Sequence, residues 1–221
     1  YAILCASGVW TCFFDFLTTE TLTVTMPILL LLVLHYQAGE LESIRQESRR
    51  LLCGLLCWGS SFAIMFITRW LLAVVVLGRQ AFGEAMKAAG ERIGGAVYLG
   101  NTNLDSEASG IQRFLGAVIR NQGSLFPFRN TMGMGAAAIS FLAVLFVCLA
   151  LIYLFRSKQF DGRLLLLILM IGAVPYLRYI VLENHAYLHY FFTYRAQLVT
   201  VTGGLFVTYE LGIRNILRKK K

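Results

Sequence analysis

Six apolar segments, separated by polar stretches, dominate the pattern of this sequence. They are residues 1–17, 22–36, 51–77, 133–155, 164–182 and 191–213. A helix of about 20 mostly apolar residues is long enough to cross the hydrocarbon core of a bilayer. The pattern therefore predicts an all-α integral membrane protein with about six transmembrane helices. Of these, the segment 51–77 is long enough to tilt in the bilayer or to project beyond it.

The longest interval between apolar segments, residues 78–132, has a different periodicity. Within it, apolar and polar residues alternate with helical spacing in two stretches. Their apolar positions are Ala81, Phe82, Ala85, Ala89, Ile93 and Val97, and then Ile111, Phe114, Leu115, Val118 and Ile119. We predict two amphipathic helices lying on the outer membrane surface. With no internal repeat in the sequence, residues 1–221 are interpreted as one polytopic membrane domain.

Composition agrees with this fold class and adds an orientation. The chain is 57% hydrophobic and 14% charged, whereas soluble domains average about 45–50% and 25%. The net charge of +8 lies mostly beside the apolar runs, because three short segments hold eleven of the 20 lysines and arginines: 37–50, 156–163 and 214–221. Cytoplasmic segments carry such an excess. We therefore expect a plasma-membrane protein with a cytoplasmic C-terminus that binds no nucleic acid.

Charged and polar residues inside or beside the apolar segments collect toward the predicted outer face. They are Asp15, Arg69, Arg178, Glu183, Asn184, His185, His189, Thr193, Tyr194 and Arg195. Charges within spans are unfavourable and often functional, so these residues predict a polar cleft at headgroup depth. Arginines there can bind a phosphate bidentately, and a carboxylate or histidine can act as a general base.

Structural pairing is the alternative for the same residues. Asp15 can pair with Arg69 or Arg195 across helices, and Glu183 can form a loose pair with Arg178. Arginines near helix ends can also extend their charge toward the interface. His185 and His189 are spaced for a metal, for hydrogen bonds to an acceptor or phosphate, or for anchoring at the interface. Since no third metal ligand accompanies them, the sequence predicts no metal site and names no cofactor.

Two segments resemble stretches of large multi-pass membrane proteins of Gram-positive bacteria. The first, residues 13–27, begins Phe-Phe-Asp-Phe-Leu-Thr, and the second, residues 178–195, contains Asn184-His185 and ends Phe-Thr-Tyr-Arg. Trp58 and the Arg69-Trp70 pair extend the resemblance between them. Those proteins are similar to the C-type glycosyltransferases, which use polyprenyl-phosphate sugars outside the membrane.

The resemblance implies transfer of a sugar from a polyprenyl-phosphate carrier to an acceptor glycan or protein of the cell envelope. By this analogy Arg69, Arg178 and Arg195 bind phosphate, and His185 and His189 position the acceptor or the leaving phosphate. Asp15 and Glu183 orient these groups, with Asp15 in reserve as general base, while Asn184, Thr193 and Tyr194 complete the substrate site.

One departure from the family pattern concerns the catalytic acid, which usually follows the first span. The chain starts at Tyr1 directly before an apolar segment, so we expect it to be the C-terminal portion of a longer protein that carries that acid elsewhere. Two functions of other classes remain open: a transporter or flippase, and a structural subunit of an envelope assembly. A transporter needs polar groups at the membrane midplane, which the sequence does not favour.

Overall fold

A computed structural model describes residues 1–14, 20–93, 110–126, 128–155 and 161–214. Regular structure in these residues is helical. The helices are α1 (Ala2–Phe13), α2 (Glu20–Ala38), α3 (Ile44–Leu77), α4 (Gln80–Ile93), α5 (Gly110–Gly123), α6 (Arg129–Met132), α7 (Met134–Phe155), α8 (Gly162–Gly172), α9 (Val174–Val181), α10 (Glu183–Leu188), α11 (Tyr190–Thr193), a 3₁₀ turn (Tyr194–Gln197), α12 (Leu198–Thr208) and a π turn (Tyr209–Ile213). The predicted all-α class is therefore confirmed.

Four helical stretches in the described residues are long and apolar enough to cross a membrane. They are Glu20–Ala38, Ile44–Leu77, Met134–Phe155 and Gly162–Val181. The other two predicted spans differ for local reasons. Helix α1 has 12 residues, about 18 Å at 1.5 Å per residue. The last segment changes from α to 3₁₀ to α to π geometry, so it is not one regular helix.

Helix α2 lies at the centre of the bundle and defines its two ends. At one end Glu20 pairs with Arg178 of α9. At the other, Arg163 at the start of α8 donates to the carbonyl oxygen of Glu42 at 3.1 Å. The continuous α8–α9 stretch therefore runs antiparallel to α2. We call these the Glu20 end and the Glu42 end.

The core between these ends is aliphatic. Its buried members are Leu4, Val24, Ile28, Leu29, Leu32, Leu51, Ile152, Leu164, Leu167, Ile168, Ile171, Val199, Val207 and Leu211. Two glycines allow close helix approach, since a Cβ on Gly8 would lie 2.4 Å from the carbonyl oxygen of Trp58, and one on Gly203 would lie 2.9 Å from Ile168. Small residues at such contacts let helices pack closely.

Helix α3 extends past the bundle at the Glu20 end. Its 34 residues span about 51 Å, against about 30 Å for a hydrocarbon core. Trp58, midway along α3, donates to the hydroxyl of Thr23 at 3.1 Å, one turn from the start of α2. The segment from Trp58 to Leu77 therefore continues well beyond Glu20, and its last residues, such as Val75, are exposed.

The interval 78–132 contains both expected helices, α4 and α5, while Val97 lies outside the described residues. Helix α5 does more than rest on a surface. Its Ala117 and Asn121 are fully buried, and Ala117 packs with Tyr179 and Ala186. Helix α5 is therefore part of the packed bundle at the Glu20 end, and the interfacial position predicted for these helices remains a prediction.

Candidate functional site

Three polar side chains from three different helices meet at the Glu20 end. Arg178 donates through Nε to the Oε1 atom of Glu20. The Nη2 atom of the same guanidinium lies 3.1 Å from Nδ1 of His185. Glu20 and Arg178 are both buried, with 7% and 6% of their surfaces exposed. An isolated charge at such a depth is strongly unfavourable, so the close pairing explains how both are accommodated.

Local sequence brings each of these residues to the same place. Glu20 is the first residue of α2, and Arg178 occupies the second half of α9. Helix α9 restarts after Ala173 with Pro175 in its first turn, a position where the missing N–H of proline is tolerated. Leu182 is not helical and separates α9 from α10. This interruption allows His185 of α10 to lie next to Arg178 of α9.

The contact between Arg178 and His185 determines how the imidazole is protonated. A guanidinium has only donors, so Nδ1 of His185 must accept. A neutral His185 therefore carries its proton on Nε2 and acts as a donor through that atom. Its ring also lies beside His189, with 4.9 Å between centroids.

These polar groups form one end of a cavity of about 430 Å³. The rest of the cavity is apolar, and α3 supplies an aromatic wall. The lining residues are Glu20, Thr21, Trp58, Phe62, Phe66, Ala89, Val174, Leu177, Arg178, Val181, Leu182 and His185. Thr21, one of the lining residues, has a buried hydroxyl without a hydrogen-bond partner in the described part of the chain.

The aromatic wall is a ladder with a spacing of four residues along α3. Centroids of Trp58 and Phe62 are 5.2 Å apart, those of Phe62 and Phe66 are 6.0 Å apart, and those of Phe66 and Trp70 are 4.7 Å apart. Phe82 of α4 meets Trp70 edge-on at 6.1 Å. The ladder therefore begins inside the cavity and continues along the projecting part of α3.

Of the residues predicted for the site, Arg178 and His185 line this cavity. His189 is exposed beside His185. Arg69 is exposed and donates to the carbonyl oxygen of Cys12 at 2.6 Å, near the end of α1. Asp15 lies outside the described residues.

Glu183 and Thr193 have partners that the sequence did not suggest. Glu183 accepts from Nε of Arg113, on α5, at 2.8 Å. Thr193 is fully buried and donates to Oδ1 of Asn121 at 2.7 Å. Both therefore tie α5 to the α10–α11 region. Asn184 and Tyr194 are half-buried, and Arg195 is exposed; none of them lines the cavity.

Sequence reasoning missed Glu20, Thr21 and the aromatic wall as site residues. Glu20 lies inside the very segment whose motif directed attention to Asp15, and a carboxylate heading an apolar run was an available signal. The spacing of Trp58, Phe62 and Phe66 was visible too, but one aromatic face of a long apolar helix has no unique meaning without its neighbours. Thr21 gave no signal, because its importance depends on burial.

No protein-family model, curated protein or solved structure matches this chain. The resemblance to C-type glycosyltransferases therefore stays a prediction from the quoted motifs.

Proposed function

We propose that this chain is part of an outward-facing membrane glycosyltransferase that takes a sugar from a polyprenyl-phosphate carrier. The observation that carries the proposal is the cavity at the Glu20 end, which is apolar along most of its wall and has the Arg178 guanidinium, paired with Glu20, at one end. A polyprenyl phosphate has the complementary form, with a long branched hydrocarbon chain joined to an anionic phosphate.

Each part of the cavity suits one part of such a lipid. The rings of Trp58, Phe62 and Phe66 offer large apolar surfaces that favour contact with unsaturated hydrocarbon. Arg178 can hold a phosphate by parallel N–H bonds. His185, protonated on Nε2, supplies a further donor at the same end.

In the proposed reaction, a hydroxyl oxygen of the envelope acceptor bonds to the anomeric carbon of the sugar. The bond from that carbon to the phosphate oxygen breaks, and the electron pair leaves with the phosphate. Arg178 stabilises the charge that develops there, and the hydroxyl proton passes to a carboxylate. Asp15 remains the proposed base, with His189 beside the site as a positioning group.

The proposal includes six spans in the plasma membrane, with the C-terminus in the cytoplasm and the Glu20 end outside. Support comes from the excess of basic residues in the segments expected inside. It also comes from the antiparallel course of α2 and α8–α9. The site lies at the end of α2 rather than midway along it, which favours an enzyme over a transporter.

Photolabelling tests whether the cavity binds this lipid. The protein in vesicles of neutral phospholipid is labelled with a photoreactive undecaprenyl phosphate, with and without Ala89→Trp, which places an indole into the cavity from α4. Met86→Trp is the matched control, because Met86 is an exposed residue of the same helix and is not among the lining residues.

We expect Ala89→Trp to lose most of the labelling and Met86→Trp to keep it. Val181→Trp, which enters the cavity from α9, provides a second obstruction if α4 shifts to accommodate the first. Equal labelling of all variants, or no labelling of the wild-type protein, would contradict the proposed function.

A further inference from the structure

We infer that the carboxylate of Glu20 occupies the anion site of the cavity and that the phosphate of the lipid substrate takes its place on Arg178. Glu20 thereby acts as an internal competitor of the substrate. The inference rests on the proposed function and specifies how the same cavity admits its ligand.

The charges that line the cavity are already balanced before a ligand binds. Arg178 is the sole arginine or lysine among the described residues that line the cavity, and Glu20 already neutralises it. Since His185 accepts from Arg178, it contributes a neutral ring. A bound phosphate would therefore add an unbalanced negative charge beside the Glu20 carboxylate, in surroundings where charges are poorly screened. Two anions cannot share one buried guanidinium without strong repulsion.

The geometry around Arg178 supports replacement of the Glu20 carboxylate by phosphate rather than exclusion of phosphate from the cavity. Glu20 bonds to the Nε edge of Arg178, while Nη2 is held by His185. The guanidinium is thus fixed in direction when the carboxylate leaves. Thr21, next to Glu20, has a buried hydroxyl without a partner among the described residues, and a tetrahedral phosphate at Arg178 can receive that hydrogen bond.

Glu20 also has a favourable environment after it leaves Arg178. It is the first residue of α2, a helix of 19 residues, and the positive end of a helix dipole stabilises a carboxylate in its first turn.

Glu20→Gln tests the exchange, because glutamine keeps the shape of the side chain and removes its charge. The measurement is the dissociation constant of undecaprenyl phosphate for the protein in neutral phospholipid vesicles. We expect Glu20→Gln to bind it about tenfold more tightly or more, because the phosphate no longer meets a like charge in the binding site. Undecaprenol, which lacks the phosphate, should bind both proteins equally.

Glu84→Gln is the matched control. Glu84 lies on α4, which also contributes Ala89 to the cavity, but its side chain is exposed and does not line the cavity. We expect this variant to bind undecaprenyl phosphate as the wild-type protein does. A gain in both variants would show a general effect of negative charge and would overturn the exchange.

A second variant guards against a folding defect in Glu20→Gln. Glu20→Leu combined with Arg178→Met replaces the pair by apolar groups, a change that folded proteins often tolerate. It should bind undecaprenol normally and lose the preference for the phosphorylated lipid. An intact preference would show that Arg178 is not the phosphate partner.

The outcomes separate the two proposals. If Ala89→Trp blocks labelling but Glu20→Gln binds the phosphorylated lipid no more tightly, the exchange is wrong and the proposed function stands. If no variant is labelled through the cavity, both are wrong. Inorganic phosphate that displaced the lipid at equal concentration would show that the site binds free phosphate, which would also overturn the assignment to a lipid.

Discussion

Ion pairs lie at both ends of α2, but they differ in how deeply the side chains are buried and in how far apart the partners lie in the sequence. At the Glu20 end, Glu20 and Arg178 are 158 residues apart in sequence, and their side chains are 9% and 4% exposed. At the Glu42 end, Arg50 pairs with Glu42, only eight residues away, and these side chains are 38% to 41% exposed.

The pairs at the Glu42 end secure connecting segments. Arg50 also bonds Glu47 at 2.8 Å, and Arg163 donates to the carbonyl oxygens of Leu41 and Glu42. A cavity of about 250 Å³ lies beside them. Its described lining combines Tyr1 and aliphatic residues with His35, Arg50 and the buried Glu47, and it has no ladder of rings. These contacts hold the turn between α2 and α3 against the start of α8.

The comparison teaches that an ion pair alone does not indicate a functional site. Exposed pairs contribute between about 0 and 1 kcal/mol and are typical of ordinary surfaces. A buried pair that faces an apolar cavity is unfavourable to desolvate, so its presence needs another explanation. The proposed lipid-phosphate ligand would supply that explanation at the Glu20 end.

Removing one member of the buried pair should have the largest effect on stability. Arg178→Ala leaves Glu20 buried without its partner, so we expect the free energy of unfolding to fall by about 3–5 kcal/mol. Arg195→Ala, an exposed arginine of the same end, should change it by less than about 0.5 kcal/mol. Thermal unfolding in detergent provides the measurement, and equal shifts for the two variants would contradict the buried pair as the source of the larger loss.

Tight contact between α1 and α3 supports the aromatic wall, and Gly8→Ala tests it. The added Cβ would approach the carbonyl oxygen of Trp58 to 2.4 Å, so α1 must shift. We expect a loss of about 1–3 kcal/mol in the same unfolding assay. Gly59→Ala is the control, since nothing lies within 4 Å of a Cβ added at that position. A similar loss of stability there would contradict the close approach at Gly8 as the cause.

Substitutions of Thr193 test whether this residue has a structural role or a binding role at the Glu20 end. Thr193→Val removes the donor to Asn121 and leaves a buried oxygen unsatisfied, so a loss of about 1–3 kcal/mol is expected. Thr193→Ser keeps the hydroxyl and should retain most of the stability. Labelling by undecaprenyl phosphate, measured well below the unfolding temperature, should be the same in both; selective loss of labelling in Thr193→Val would restore Thr193 to the substrate site.

The smallest effect is expected at the Glu42 end, where Asp161 caps α8. Its carboxylate accepts from the backbone N–H of Arg163 at 2.9 Å and from Nη2 of Arg163 at 2.7 Å. Asp161→Asn keeps a cap and removes the ion pair, so a loss of at most about 1 kcal/mol is expected at pH 7. Asp161→Ala should lose about 1 kcal/mol more.

This effect has a defined pH dependence. The hydrogen bond from the Arg163 side chain holds the pKa of the Asp161 carboxyl below its ordinary value. The stabilisation is therefore complete above about pH 3.9, the unfolded value, and is lost as the pH falls through the lower folded value. The difference between wild-type protein and Asp161→Asn should vanish in that range, and a difference that persisted at lower pH would contradict the ion pair as its source.

The sequence by itself determined where the chain is helical and apolar. Runs of apolar residues dictate helices whatever their partners, so Gly162–Val181 and Met134–Phe155 lie within two residues of the predicted bounds. The sequence also identified Arg178 and His185 as unusual, because a charge or imidazole at the end of an apolar run stands out locally. It did not indicate the 3₁₀ and π turns of the last segment, because such turns have no strong sequence signature.

Only the tertiary structure decided which of those polar residues meet. Helical spacing fixes the face on which a side chain lies, but not the helix that packs against that face. Glu20 therefore found its partner on α9, whereas Thr193 bonds to Asn121 of α5 and does not line the cavity. Burial made the difference, since a charge or hydroxyl removed from water must find its partner among whichever groups the packing brings within reach.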